Sequence, residues 1–339
     1  MKKIQHIEAI IPLINKGNLF NYPALQQDIA LKELIEIFEN ELFDFGSLFS
    51  HKKINSALLN QSDLGEKLFY FIKNLDIIDD SILVLSFDIE LFTRYNKVLK
   101  IDGHDIKNSD NRNISLIKSF IADDFMDLIY ESFLHINIAR PASLSAQKGV
   151  ILIDEMRWED TYEFTFPVWE AYDYMYGPKY PEIFFYETNK IRKGIKNLGI
   201  SFYNETYSKL SIAINCLTYV LSPDLSDPER LVYTLIGIEA LYTKSNTNIT
   251  EQLNEKIQLY LGQLNDYKKI IKNMYEIRSR FLHGDLQIKP YFLYNNTSDQ
   301  KVEDDIYDSL LVSTRILIST IQKMINENRT ELEFKYALK

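Results

Sequence analysis

The chain has 339 residues, 46% of them apolar and 25% charged, with a net charge of -10 at neutral pH. That composition is globular and excludes a disordered chain. The excess of acid excludes a protein that coats nucleic acid through overall positive charge. The acid is uneven: residues 1–200 hold 22 Lys and Arg against 30 Asp and Glu, whereas residues 201–339 hold 16 against 18. A polyanion is therefore sought in the C-terminal part. A single cysteine, Cys216, permits no disulfide within the chain and no cysteine-based metal site, so the simplest compartment is a reducing one. The start, MKKIQHIEAIIPLINKGNLF, carries Glu8 and Lys16 and has no A-x-A cleavage pattern, which argues against a signal peptide. No apolar run approaches the roughly 18 residues of a membrane span. The expectation is a soluble, cytoplasmic protein.

In chain order, residues 23–76 are expected to be mostly helical. ALQQDIALKELIEIFENELFDF repeats apolar residues at helical spacing behind Pro23, and QSDLGEKLFYFIKNLDII follows a cap at Ser62 or Asp63. ILVLSFDIELF (82–92) switches to a period of two and predicts a half-buried strand. NKVLKIDG (96–103), GVILIDE (149–155), TYEFTFPV (161–168) and EIFFYET (182–188) are further strand candidates, with a helix over 115–136 between them. From about residue 200 the pattern is helical throughout, with helices near 201–222, 228–244, 250–264, 266–283 and 302–328. SPDLSDPER marks one start, with Asp227 as N-cap and Pro228 at the first helical position. The predicted architecture is α+β and mostly helical: an acidic α+β region over 1–198, followed by an all-α bundle over 199–339.

Two charges sit where helical periodicity expects apolar residues. On helix 266–283, Ile270, Ile271, Met274, Ile277, Phe281 and Leu282 share one broad arc, and Arg278 falls near its middle. On helix 228–244, Leu231, Leu235, Ile238, Leu241 and Tyr242 define the apolar face, and Glu239 lies on its shoulder. An unpaired charge in such a place is costly, so a Glu239–Arg278 contact is expected. A structural ion pair that fixes helix register would leave the same pattern. His283 occupies the last turn before Gly284, the residue type that ends helices in the left-handed conformation. A cation there also suits the unpaired carbonyls of the helix end. A regular helix sets His283 about 140° around from Arg278, so the two converge only if the last turn loosens, the Arg reaches over, or a second protomer supplies one half. Lys268, Lys269, Lys272 and Arg280 surround them and form either a phosphate-attracting patch or a solvated helix face.

The stretch YEIRSRFLHGD (275–285) resembles the signature of HEPN domains, in which an Arg is followed after four to six residues by a His at a helix end. LVYTLIGIEALYTKS upstream is similar to the glutamate-bearing helix of the ApeA-like branch. The resemblance covers roughly 205–330 and is sharp over 228–245 and 270–285. It implies a helical bundle that dimerises and brings Arg/His pairs into one cleft. It also implies a metal-independent endoribonuclease of toxin or anti-phage type that needs no cofactor. On this chain His283 would be the general acid or base, Arg278 would stabilise phosphoryl oxygens, and Glu239 would orient Arg278. The partners it implies are RNA, a second copy, and a trigger acting through the N-terminal region. A non-catalytic HEPN-type module that binds RNA, nucleotide or protein is the alternative. Elsewhere, Asp88 and Glu90 share a strand face without a metal-ligand frame, and His6, His51, His104 and His135 stand apart in the sequence.

Overall fold

The computed structural model describes residues 2–13, 24–40, 42–45, 49–60, 81–92, 98–101, 104–107, 111–144, 146, 148–153, 161–165, 179–201, 207–222, 225–244, 249–263, 267–286 and 300–334. The chain divides into two compact units. One comprises Met1–Phe133 and Leu144–Phe166, the other Leu134–Ser143 and Pro167–Lys339. Residues 167–198 and the end of the long helix thus belong with the helical bundle, upstream of the boundary at 198/199 read from composition. The class is mixed α+β: eight helices and a small antiparallel sheet among the described residues.

The first unit is built on a five-stranded antiparallel sheet. Its strands are β1 (Lys2–Leu13), β4 (Asn55–Asn60), β5 (Ser81–Phe92), β8 (Lys148–Ile153) and β9 (Thr161–Thr165), in the order β4-β5-β1-β8-β9. β1 and β5 pair along their whole length, from Lys2 opposite Phe92 to Leu13 opposite Ser81. On one face, Ile7, Ala9, Ile11, Leu83, Leu85, Phe87, Ile89, Ile151 and Ile153 are all buried. Phe87 meets Phe125 edge-to-face at 4.9 Å, which seats helix α2 (Asn111–Ala139) there. Ile10, Ile82, Val84, Val150 and Leu152 form a second buried cluster on the opposite face. β5 is therefore covered on both sides over 82–85, and its alternation becomes visible only beyond Ser86.

Three expectations in this unit need correction or fall outside the described residues. Helix α1 (Ala24–Asn40) stops short of the predicted length. Leu42–Phe45 is strand β2, paired in a hairpin with β3 (Phe49–Lys53), and Asn55–Asn60 is β4. A short apolar run fits both periods, and strand pairing decides between them. The predicted helix over 61–78 lies outside the described residues. In the remaining strand pair, β6 (Val98–Ile101) with β7 (His104–Lys107), β6 lies within the strand expected over 96–103. His6 and Asp88, 82 residues apart, face each other across β1 and β5 with Nδ1 and Oδ1 at 2.8 Å, both exposed.

The second unit contains α3 (Thr188–Asn197), α4 (Lys209–Val220), α5 (Asp227–Tyr242), α6 (Ile249–Leu261), α7 (Lys268–His283) and α8 (Gln300–Asn326). All five helices predicted after residue 200 are present. α8 is the centre: every residue from Ser309 to Gln322 is buried, because α3, α4, α5, α6 and α7 all pack on it. Two glycines allow close approach to α8: a Cβ at Gly194 of α3 would overlap Ile325 Cγ2, and Gly237 of α5 is the second. A Cβ there would stand 3.0 Å from Leu317 Cδ1 on α8 and 3.2 Å from Cys216 Cβ on α4. The start of α5 differs from expectation by one residue. Ser226 is the N-cap and closes a capping box in which its N–H donates to Glu229 Oε2 at 2.8 Å; Asp227 and Pro228 follow inside the helix.

Residues 182–187 are not a strand, contrary to the reading of EIFFYET. The segment is extended, yet side chains of α8 meet its backbone. Arg315 Nη2 donates to Pro181 O at 2.9 Å and Ser319 Oγ to Glu182 O at 2.8 Å. Gln322 Nε2 donates to both Phe184 O (2.8 Å) and Ile138 O (2.7 Å), while its Oε1 accepts from Phe184 N (3.3 Å). Tyr186 N donates to Ala139 O at 2.9 Å. Extended backbone needs partners but not necessarily strands.

Candidate functional site

α7 presents two unlike faces. Ile271, Met274 and Ile277 are buried against the bundle, whereas Lys268, Lys269, Lys272, Ser279 and His283 are exposed and Arg280 is half-buried. Stepping about 100° per residue puts His283 in the middle of an arc of about 120° that carries Lys268, Lys269, Lys272 and Arg280, with the exposed Glu276 among them. The basic patch and His283 therefore share a face.

Arg278 lies on the other side, and there it meets Glu239 of α5. Its Nη2 is 3.5 Å from Glu239 Oε2, with the two side chains 27% and 18% exposed. The two charges that broke their helices' apolar faces are thus neighbours. The arrangement is half-buried: both side chains are partly covered, with Arg278 Nε and Glu239 Oε1 buried. Burial pushes the Glu239 carboxyl above the ordinary carboxylate range; Arg278, and then Tyr275, pull it back. Tyr275 is the residue that helical periodicity did not single out. It stands one turn before Arg278, and burial with the adjacent Glu239 anion holds its phenol well above the usual range. Its only sequence signal was the i, i+3 spacing to an arginine on an apolar face.

The helix end is regular. Gly284 is left-handed at φ 77°, and the N–H groups of Gly284 and Asp285 donate to Phe281 O (3.2 Å) and Arg280 O (2.8 Å). These bonds form a Schellman motif, with Leu286 buried behind it. The last turn does not loosen, so one protomer keeps Arg278 and His283 about 140° apart around the helix. Within one chain the structure joins Glu239 to Arg278 and leaves His283 with the basic patch.

Among the described residues no group of three or more His, Cys, Asp or Glu could hold a metal ion, and no helix is long and apolar enough to cross a membrane. Asp88 faces His6 rather than a second carboxylate. Compared with protein-family models, curated proteins and solved structures, the chain matches none.

Proposed function

We propose that the helical unit is a HEPN-like, metal-independent endoribonuclease of toxin or anti-phage type that works as a homodimer in the cytoplasm. The observation that carries this reading is the Glu239–Arg278 pair. A cation and an anion on apolar helix faces are brought together where both side chains keep partial exposure. A phosphate-binding arginine requires such partial access. Arg278 offers planar donors to phosphoryl oxygens in the transition state. Glu239 orients Arg278. His283, exposed at the helix end, acts as acid or base at the ribose 2′-hydroxyl or the leaving oxygen, since imidazole exchanges protons near neutral pH. Lys268, Lys269, Lys272 and Arg280 supply a local positive field in a protein of net charge -10. The N-terminal unit would sense a trigger or restrain the nuclease.

One observation favours a second reading. Arg278 and His283 lie on different faces of a regular helix, as they would in a non-catalytic module that binds RNA, nucleotide or a protein partner. Cleavage of mixed cellular RNA in EDTA separates the two. The ribonuclease reading expects cleavage by the wild type and none by Arg278→Ala or His283→Ala of matched helicity and oligomeric state. Equal cleavage by all three would remove the assignment from this helix. Retention on immobilised RNA without cleavage, lost as salt rises, would favour the binding module.

A further inference from the structure

At the contact of α5 and α7, Glu239 Oε1, Tyr275 Oη and Arg278 Nε are buried and none stands in full hydrogen-bond geometry, although Tyr275 and Glu239 are close enough for each to act on the other as a hydrogen-bonding neighbour. They belong to one cluster. Tyr275 and Arg278 are three residues apart on α7 and so share a face, and Arg278 reaches Glu239 from that face. Buried polar atoms in native proteins are nearly always satisfied, so three together need a reason. A phenylalanine would fill the place of Tyr275 without burying a hydroxyl. One of the two donors is neutral and flexible, the Tyr275 O–H; the acceptor is a carboxylate oxygen.

We propose that Tyr275 is a positioning residue of the Arg278 site: its hydroxyl donates to Glu239 Oε1, which turns Oε2 toward Arg278 and holds the guanidinium's outer edge toward substrate. This rests on the ribonuclease reading for its catalytic consequence. A carboxylate tethered through one oxygen, by a contact of 3.5 Å, is free to rotate about its last bond. A second tether on the other oxygen fixes its plane, and with it the direction in which Arg278 presents its remaining N–H donors. The titratable neighbours that act on Glu239 are Arg278 and Tyr275, and both favour its ionised form against burial. The cluster is then a three-part relay, from Tyr275 through Glu239 to Arg278, with only the last member touching substrate.

The test uses the full-length protein with 13C-labelled glutamate, the Glu239 carboxyl signal being identified by its loss in Glu239→Gln. In Tyr275→Phe the Glu239 midpoint moves to higher pH, because the ionised form loses a donor. In RNA cleavage the same variant lowers kcat roughly 10- to 100-fold with KM little changed, and the acid limb of the rate profile moves up with the midpoint. A tyrosine that only packs would move neither. An unmoved Glu239 midpoint overturns the proposal, and so does unchanged kcat in an active enzyme. A second readout needs no variant to fold well: the 13Cζ signal of Tyr275 in the wild type shifts at the Glu239 midpoint, and its failure to do so also overturns the hydrogen bond. Neither NMR readout depends on cleavage. A wild type that leaves RNA intact therefore counts against the ribonuclease, while the titration still decides the Tyr275–Glu239 bond.

Discussion

The sheet unit and the helical unit bury different chemistry. The faces of β1 and β5 are filled by Ile, Leu, Val, Ala and Phe, with Gln5 a rare buried polar residue. In the bundle, α8 alone buries Ser309, Ser313, Thr314, Arg315, Ser319, Thr320 and Gln322. Several of these polar groups are hydrogen-bonded. Thr320 meets the Tyr242 hydroxyl at 2.8 Å, and Arg315, Ser319 and Gln322 hold the extended segment at 181–184. Lys256, also buried, donates to Tyr242 O at the end of α5 (2.7 Å) and to Gln252 Oε1 (2.8 Å). An apolar core tolerates exchange of shapes, whereas a hydrogen-bonded one fixes directions. A site that must aim one guanidinium is better built on the second kind.

That difference can be broken first on the apolar side. Phe125→Ala removes a ring packed on Phe87 and should cost about 3–5 kcal/mol in denaturant unfolding, the largest single effect expected. In the bundle, Gln322→Leu keeps the volume but strands Ile138 O, Phe184 O and Phe184 N. The expected loss is about 2–3 kcal/mol, with faster proteolysis at 179–187 than at any helix. A smaller loss than that of an exposed serine change would show that the clamp is replaceable.

Acid distinguishes the units further. His135 is buried in the bundle, where burial and then the Arg192 cation push its imidazole down to about 3. Its folded pKa lies below the unfolded value of 6.5, so the stability tied to the neutral ring is whole above 6.5 and is lost as pH falls from there toward 3. The bundle should weaken over that window, and His135→Phe should flatten the loss in a pH series of melts.

The smallest effect has the opposite sign. Glu239 has a raised folded pKa, so its contribution is complete below the unfolded carboxylate range and is lost as pH rises through the folded value. At neutral pH the ionised carboxylate is a net burden, and Glu239→Gln should melt at or slightly above the wild type while losing RNA cleavage. Such a gain in stability with loss of function is the mark of a site kept for chemistry. A clear drop in melting temperature would instead assign the pair to structure.

Much of this site was legible in the residues. Glu239 and Arg278 each interrupt an apolar stripe, and interruption is what periodicity reveals. The stop at Gly284 and the five helices after residue 200 follow from local chemistry, whereas the sequence places the cap of α5 one residue late, at Asp227 instead of Ser226. What was not legible depends on partners distant in sequence. β1 is buried on both faces over Ala9–Leu13 and so shows an aliphatic run there instead of alternation. Leu42–Phe45 carries a pattern that suits either period until Phe49–Lys53 pairs with it. The 182–188 segment reads as a strand, yet the backbone of 181–184 is satisfied by helix side chains 134 or more residues away. Tyr275 is not singled out because nothing in α7 alone says that its hydroxyl lies beside a carboxylate.

The central claim is that Arg278 and His283, about 140° apart on a regular helix, act together across two protomers. Mixing Arg278→Ala with His283→Ala protein, after dissociation and reassociation, tests it most directly. In a two-fold dimer with composite sites, half of the randomly paired molecules are mixed and each carries one intact site, so about a quarter of wild-type cleavage should return from two inactive parents. Mixed dimers that form and stay inactive would contradict the account.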